Sequence, residues 1–519
     1  MRIYRGVPVG ARAGRVVACF AFALFAGAGM TASGQCLRFP DGLYYPDDRA
    51  EDDHFGWAIA MDGDVAVLGA PFEDGGGVAY VYRRADDRWE FSQRLEASDR
   101  APRARFGIDV AIHGWWIVVG ADSADVAGES CGAAYVFAFD KGTRRFVEVQ
   151  KLTSDDPDRY EEFGCSVAVH GDVIAVGEAR VFSSSGTVYV FRIDGYDCIL
   201  EQKLERSDGY GQTGFGCKVA VGEDVIAVGA ADSVSGVAAY VFRYVGEVVG
   251  WLEEQKLTPS DTRYLSVFSM SLALSGDRLL LGWPHADGEA PFTGAVYSFI
   301  YDPFLGRWFE AQKLVASDGD EDDDFGSAVA LSEDVAIVGA RSDDDGCFLW
   351  QVDCGSAYLF RWDGGRWVLT RKLIAIYGAE GDAMGFAAAA AGGSALIGAS
   401  EYDAPSGGSP VADTGAAYAF PTTELLLSVW PDVVQAGRVV HFDTCCGQPG
   451  EPVVLALTEL NGTVVFLHIL SWVFNANCEF ELEPTVPPGF EGLEMTFQVF
   501  KLSLRGEALA SNAETLRVE

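Results

Sequence analysis

Hydrophobic and polar residues alternate along most of this chain in short blocks, and the blocks recur. The segment Phe215-Gly216-Cys217-Lys218-Val219-Ala220-Val221 alternates like a half-buried strand. Gly222-Glu223-Asp224 then turns the chain, and Val225-Ile226-Ala227-Val228-Gly229-Ala230 returns as a nearly continuous apolar strand. The same hairpin begins at Phe55-Gly56, Phe106-Gly107, Phe163-Gly164, Phe268, Phe325-Gly326 and Met384-Gly385. From each of the seven starts a glycine lies 14 residues on, at Gly69, Gly120, Gly177, Gly229, Gly282, Gly339 and Gly398. Successive starts are 51, 57, 52, 53, 57 and 59 residues apart, so length varies outside this hairpin.

A third strand in each repeat carries Tyr80, Tyr135, Tyr189, Tyr240, Tyr297, Tyr358 or Tyr418. A fourth runs from an aromatic residue to a Gln/Arg-Lys/Arg-Leu triplet, as in Trp89 to Leu95, Trp251 to Leu257, Trp308 to Leu314 and Trp367 to Leu373. Four strands in about 50 residues, seven times over, is the arithmetic of an all-β, seven-bladed β-propeller. No such fourth strand follows Tyr418, whereas Gln35-Cys36-Leu37 resembles one without an owner. These residues are therefore expected to complete the last blade and close the ring, leaving no long open edge.

The repeated Phe-Gly and Gly-Ala pairs resemble the FG-GAP repeat family, the seven-bladed propellers of integrin α heads and of many secreted bacterial proteins. The resemblance spans residues 35 to 421 and implies a binding role. It departs from the integrin-like repeats in one respect. Where those repeats hold a calcium loop, this chain has only short turns, such as Asp62-Gly63-Asp64 and His170-Gly171-Asp172, with too few oxygens for six to eight ligands. The family's calcium sites do not transfer.

From Glu424 to Glu519 the repeat stops. Candidate strands Leu425 to Trp430, Arg438 to Phe442, Val453 to Glu459, Thr463 to His468, Cys478 to Leu482, Met495 to Lys501 and Glu514 to Val518, with Asn461-Gly462 as a hairpin turn, argue for an immunoglobulin-like β-sandwich accessory domain. At the other end, Arg2, Arg5, Arg12 and Arg15 precede an apolar run from Val16 to Met30, and Ala32-Ser33-Gly34 offers a cleavage site. Residues 1–34 read as a secretory signal peptide. No later stretch is long and apolar enough for a membrane span. The mature protein is expected in the periplasm, in the medium or at the cell surface.

Charge narrows the partners. The 519 residues carry 38 Lys+Arg against 76 Asp+Glu, a formal charge of −38, which excludes nucleic acid as a ligand. The acidic residues gather in the connections from the fourth strand to the next blade and from the second strand to the third, which share one rim: Asp47, Asp48, Glu51, Asp52 and Asp53; Asp155, Asp156 and Asp158; Asp343, Asp344 and Asp345. In the richest loop, Asp318, Asp320, Asp322 and Asp324 are candidate Ca²⁺ ligands, although Asp323 stands where a calcium loop would place glycine. A solvated acidic surface is the competing reading.

Export permits disulfides among the cysteines. Cys347 and Cys354 bracket an insertion and are expected to pair. Cys165 and Cys217, at one repeat position in adjacent blades, either bridge the blades or remain buried thiols, and Cys478 is a partner for Cys445 or Cys446. Two catalytic patterns fail on context. Gly209-Tyr210-Gly211-Gln212-Thr213-Gly214 precedes a strand instead of a helix, and Gly128-Glu129-Ser130-Cys131-Gly132 lies between strands. His113 and His170 occupy equivalent turns as solvated residues, and Trp115-Trp116 offers either blade packing or an exposed sugar platform. The sequence thus points to a non-enzymatic binding protein with a protein or glycan ligand at the loop face. A glycan-active hydrolase or lyase using paired carboxylates and a structural envelope component are the alternatives; the oligomeric state is not encoded in any motif.

Overall fold

The computed structural model describes residues 42–422 apart from loop segments 47–49, 86–87, 127–128, 157–161, 180–185, 209–213, 233–235, 262–269, 345–352, 376–378, 380 and 404–411, together with the strand Cys36–Arg38 and the backbone of nine strands between residues 426 and 518. The expected signal peptide lies outside the described residues. Pro40–Thr422 forms one compact unit, and it is a seven-bladed propeller. In blade three the strands Phe163–His170, Val173–Glu178, Thr187–Asp194 and Asp197–Leu204 pair antiparallel in chain order, strand one innermost and strand four outermost. The other blades repeat this plan, and the only helix among the described residues is a single 3₁₀ turn, Glu73–Gly75.

The Phe-Gly and Gly-Ala signatures are the contacts between blades. A Cβ added to Gly69 in blade one would lie 2.0 Å from the Gly107 carbonyl oxygen in blade two, and Gly120–Gly164, Gly177–Gly216, Gly282–Gly326, Gly339–Gly385 and Gly398–Gly56 repeat the approach. No side chain fits there. Gly107 further requires φ +93°, which only glycine adopts without strain. At the junction of blades four and five, where the second glycine is missing, the Met270 side chain packs against Gly229. The signature residues Phe55, Phe106, Phe163, Phe215 and Phe325 are buried and meet the tyrosine of their own blade edge-to-face, with centroids 5.5 Å apart for Phe55–Tyr80 and 5.2 Å for Phe325–Tyr358.

The Gln-Lys-Leu triplet divides its work among its three residues. The leucine is buried in the blade core, as at Leu95, Leu257 and Leu314. The glutamine bridges to the next blade: Gln255 donates to the Trp308 carbonyl at 2.9 Å and accepts the Trp308 N–H at 2.9 Å. Gln93 with Phe146, Gln150 with Cys198, Gln202 with Trp251 and Gln312 with Trp367 do the same. The lysine lies opposite the strand-three tyrosine, as in the pairs Tyr135–Lys151 and Tyr297–Lys313.

Ring closure corrects one expectation. The fourth strand of blade seven is Gly42–Tyr44, paired with Ala416–Pro421, and Cys36–Arg38 has no place in that sheet. Leu43 pairs with Tyr418 and Tyr44 with Ala417, the places that lysine and leucine take in other blades. The reason is spacing. The triplet leucine precedes the next Phe or Met by 11 residues in the other six blades, and Tyr44 precedes Phe55 by the same 11. Gly415 then bridges Phe55 as Gly77 bridges Phe106.

All seven strands expected beyond residue 424 occur, with the short Val433–Val434 and Ala508–Ala510 in addition. They form one sheet of Leu426–Trp430, His441–Cys445 and Phe480–Leu482, and a second centred on Pro452–Leu460 and Glu494–Leu502.

Candidate interaction surface

The strand directions give the ring two rims. The upper carries the four-to-one and two-to-three connections, the lower the one-to-two and three-to-four turns.

On the upper rim the acidic residues are held internally. Asp261 accepts Tyr297 Oη at 2.7 Å and Lys313 Nζ at 2.5 Å, and Asp99 accepts Tyr135 at 2.7 Å and Lys151 at 2.6 Å. Asp208 accepts Tyr240 at 2.9 Å and Lys256 at 2.6 Å. In blade one Glu73 substitutes, accepting Tyr80 at 2.6 Å and Arg94 at 3.0 Å, while in blade three Lys203 pairs with Asp155 and Tyr189 bonds Ser154. Burial raises the carboxyl pKa of Asp99, Asp208 and Asp261, but the lysine and tyrosine hydrogen bonds outweigh it and hold all three below the usual range.

Of the four candidate calcium ligands, Asp318 and Asp324 fall into this scheme through their carboxylates, and Asp320 and Asp322 are bonded through their backbone N–H groups. Asp318 accepts Tyr358 at 3.1 Å and Lys372 at 3.0 Å, beside buried Asp343, which takes the same two donors and Ser356 Oγ. Asp324 accepts Arg341 Nε at 2.8 Å. The backbone N–H of Asp320 is bound by Asp323, and that of Asp322 by the Phe292 carbonyl. Among the described residues no group of three or more His, Cys, Asp or Glu is placed to hold a metal. At Asp318 and Asp324 lysine, arginine and tyrosine supply countercharge and donors.

Two residues before the signature Phe or Met, buried Asp323 and Asp382 each accept the N–H three residues upstream at 2.7 Å. Burial pushes both up to about 7, and pushes Asp122 up to about 6 against the opposing Arg105. The loop N–H bonds of Asp323 and Asp382 and the 2.7 Å ion pair between Arg105 and Asp122 pull the other way and are outweighed.

Cys165 and Cys217 are both free thiols. Cys165 donates to the carbonyls of Gly177 and Gly216 and Cys217 to that of Gly229, so each sulfur faces a glycine junction instead of the other sulfur, and no cross-blade disulfide forms. Cys354 is buried and disulfide-bonded, whereas Cys347, Asp47, Asp48, Asp158 and Asp345 lie outside the described residues, as do Cys446, Cys478 and the Cys445 side chain. Residues 209–213 lie outside them as well. Glu129–Ser130 is a short strand paired with Asp125–Val126.

The lower rim is different. Its three-to-four turns in blades three, four and five expose apolar side chains: Tyr196 at 68%, Val248 at 99% and Phe304 at 98%, with Val249 and Leu305 beside them. Local chemistry fixes these tips. Tyr196 follows Gly195 at φ +66° between paired Asp194 and Asp197. Gly246 and Gly250 close the blade-four tip by a 2.8 Å N–H···O bond, and Asp302 caps the N–H groups of Phe304 and Leu305 at 2.8 and 3.1 Å. Beneath the tips, Arg192 binds Glu201 and lies over Tyr244 of the next blade, and Arg243 binds Glu254 and lies over Tyr301. Trp308 Nε1 donates to Glu254 at 3.1 Å, so the three blades are stitched into one rigid base.

The same rim contains Trp115 and Trp116. Trp115 is 53% exposed and stacks on Phe139 at 5.3 Å, while Trp116 meets Tyr196 of blade three edge-to-face. His113 and His170 are not simply solvated. Their rings approach to 4.2 Å, His113 Nδ1 accepts the Gly171 N–H, and burial followed by the neighbouring His113 lowers the His170 pKa. Sequence reasoning missed the apolar tips, though valine pairs and Phe-Leu inside Gly-flanked turns are a legible signal in Val245-Gly246-Glu247-Val248-Val249-Gly250 and Pro303-Phe304-Leu305-Gly306.

Among solved structures, Saccharomyces cerevisiae Sqt1 aligns with 92% of this chain and 98% of its own at 11% identity and a TM-score of 0.41. A 6-phosphogluconolactonase, so described provisionally, from Bacteroides uniformis aligns with 62% of this chain and 85% of its own at 13% identity and a TM-score of 0.43. No curated protein matches the chain. The FG-GAP repeat signature matches residues 45–82, 89–137, 146–191, 251–299 and 308–360; the last four each run from the outer strand of one blade through the first three strands of the next. With this match and the seven-bladed ring, the chain is an FG-GAP repeat β-propeller protein.

Proposed function

We propose that this chain is an exported, non-enzymatic binding protein that meets its ligand through the lower rim of the propeller, with an immunoglobulin-like sandwich as accessory domain. The observation that carries this reading is the set of exposed apolar tips held in place on blades three to five. Exposed apolar side chains gathered on one rim mark interaction sites, and pre-ordered tips lose little entropy on binding. The basic, apolar and small-residue order of residues 1–34 supports export, which also suits a Cys347–Cys354 disulfide. The raised carboxyls of Asp122, Asp323 and Asp382 favour a hydrolase less, because each is already bound to a cation or a loop N–H. The test is retention of the purified full chain on immobilised envelope protein and polysaccharide fractions. Retention without turnover of the polysaccharide is expected; turnover, or no retention on any fraction, overturns the reading.

A further inference from the structure

We propose that the apolar tips of blades three to five dock a cationic amphipathic protein segment, one whose apolar side chains alternate with Lys or Arg. This rests on the binding reading above and names the partner's chemistry. The tips supply apolar contact through Tyr196, Val248 and Phe304, and the exposed charges among them are carboxylates: Asp194, Asp197 and Glu247. The cations of the same sector are mostly committed. Arg192 is bound by Glu201 and Asp172, and Arg243 by Glu254 and Asp224, which leaves Arg307 as the exposed cation beside Phe304.

Charge then selects among occupants. A second copy would bring the same carboxylates face to face across a two-fold axis, on chains of −38 each. Anionic headgroups would be repelled by the same groups, and surfaces that insert apolar tips into lipid flank them with Lys or Arg. A segment with apolar and cationic side chains satisfies both features of the surface. Its positive charge steers encounter and its apolar side chains hold the complex.

The probe is a labelled synthetic peptide of alternating Leu and Lys, titrated into the full mature chain at low and physiological salt. The variant Val248→Ser/Phe304→Ser changes no charge, so non-specific attraction to an acidic protein is the same in both. Saturable binding is expected, weakened about tenfold or more in the double variant and severalfold in Asp197→Lys/Glu247→Lys, with affinity falling as salt rises. Equal affinity of the serine variant overturns the site. Equal binding of a Leu-Glu peptide, co-sedimentation with phosphatidylcholine or phosphatidylglycerol vesicles, or a dimer lost in the serine variant overturns the partner. Each of these leaves retention on envelope fractions, the test of the broader reading, to be judged separately.

Discussion

Blade five carries Asp261 at its upper end and Phe304 at its lower end. Asp261 is acidic, as a solvent-facing loop residue is expected to be, yet it is gripped by Tyr297 and Lys313. Phe304 is apolar, as a core residue is expected to be, yet it is 98% exposed. Residue type alone therefore misplaces function in this ring. On the upper rim charge is structural, a device that ties the incoming connection to strands three and four in blades two to six. On the lower rim apolar surface is presented outward on turns that need none for their own stability.

The contrast can be broken most sharply at Asp343. Replacing it with Ala removes one of the carboxylates that hold Lys372, 2% exposed, and strips buried Ser356 of its acceptor. A loss of about 3 to 5 kcal/mol is expected, seen as a large fall in the urea midpoint with peptide binding at the lower rim retained. Gln255→Ala should cost less, about 1 to 3 kcal/mol, because the Trp308 N–H and carbonyl lose their partner between blades.

Acidity separates two groups of carboxyls. The depressed Asp99, Asp208 and Asp261 contribute stability above the unfolded value of about 4, and that contribution is lost as pH falls through their lower folded values. The raised Asp122, Asp323 and Asp382 work in reverse. Their contribution is complete below pH about 4 and is lost as pH rises through about 6 to 7. Calorimetry should therefore find the highest melting temperature between about pH 4 and 6, with a decline toward pH 8 that flattens in Asp382→Asn; a maximum at pH 8 would refute the assignment. The smallest effect belongs to Phe304→Ser, within about 0.5 kcal/mol of the parent in denaturant because the ring already stands in water.

The blade count was legible because backbone periodicity and close glycine approach are local, and both recur in the chain at fixed spacing. The clasp was misplaced at Gln35-Cys36-Leu37 because residue type was matched ahead of spacing; the 11 residues from triplet leucine to the next Phe point to Tyr44. Partner choice was not. Lys313 and Asp261 are joined through a loop and a strand from different parts of the repeat, and Gln255 reaches a backbone in the following blade. Cys165 and Cys217 share a repeat position, which predicts equivalent surroundings and, for that reason, two sulfurs that each face a glycine junction. The lower tips were passed over because their signal, apolar residues inside glycine-marked turns, is local and carries no periodicity.

The pairing of Leu43 with Tyr418 also has a kinetic meaning. Hairpins within a blade join neighbours in sequence, and glycine junctions join one blade to the next, so both can form as the chain emerges from its N-terminal end. The clasp cannot, since its two halves bracket the whole ring and the loop between them must close first. Until then blade seven lacks its outer strand, and Ala416–Pro421 presents an open edge to any other chain nearby. The last step of folding is thus the one at which this protein is most exposed to joining with its own copies, and Gly42–Tyr44 is the segment that prevents it.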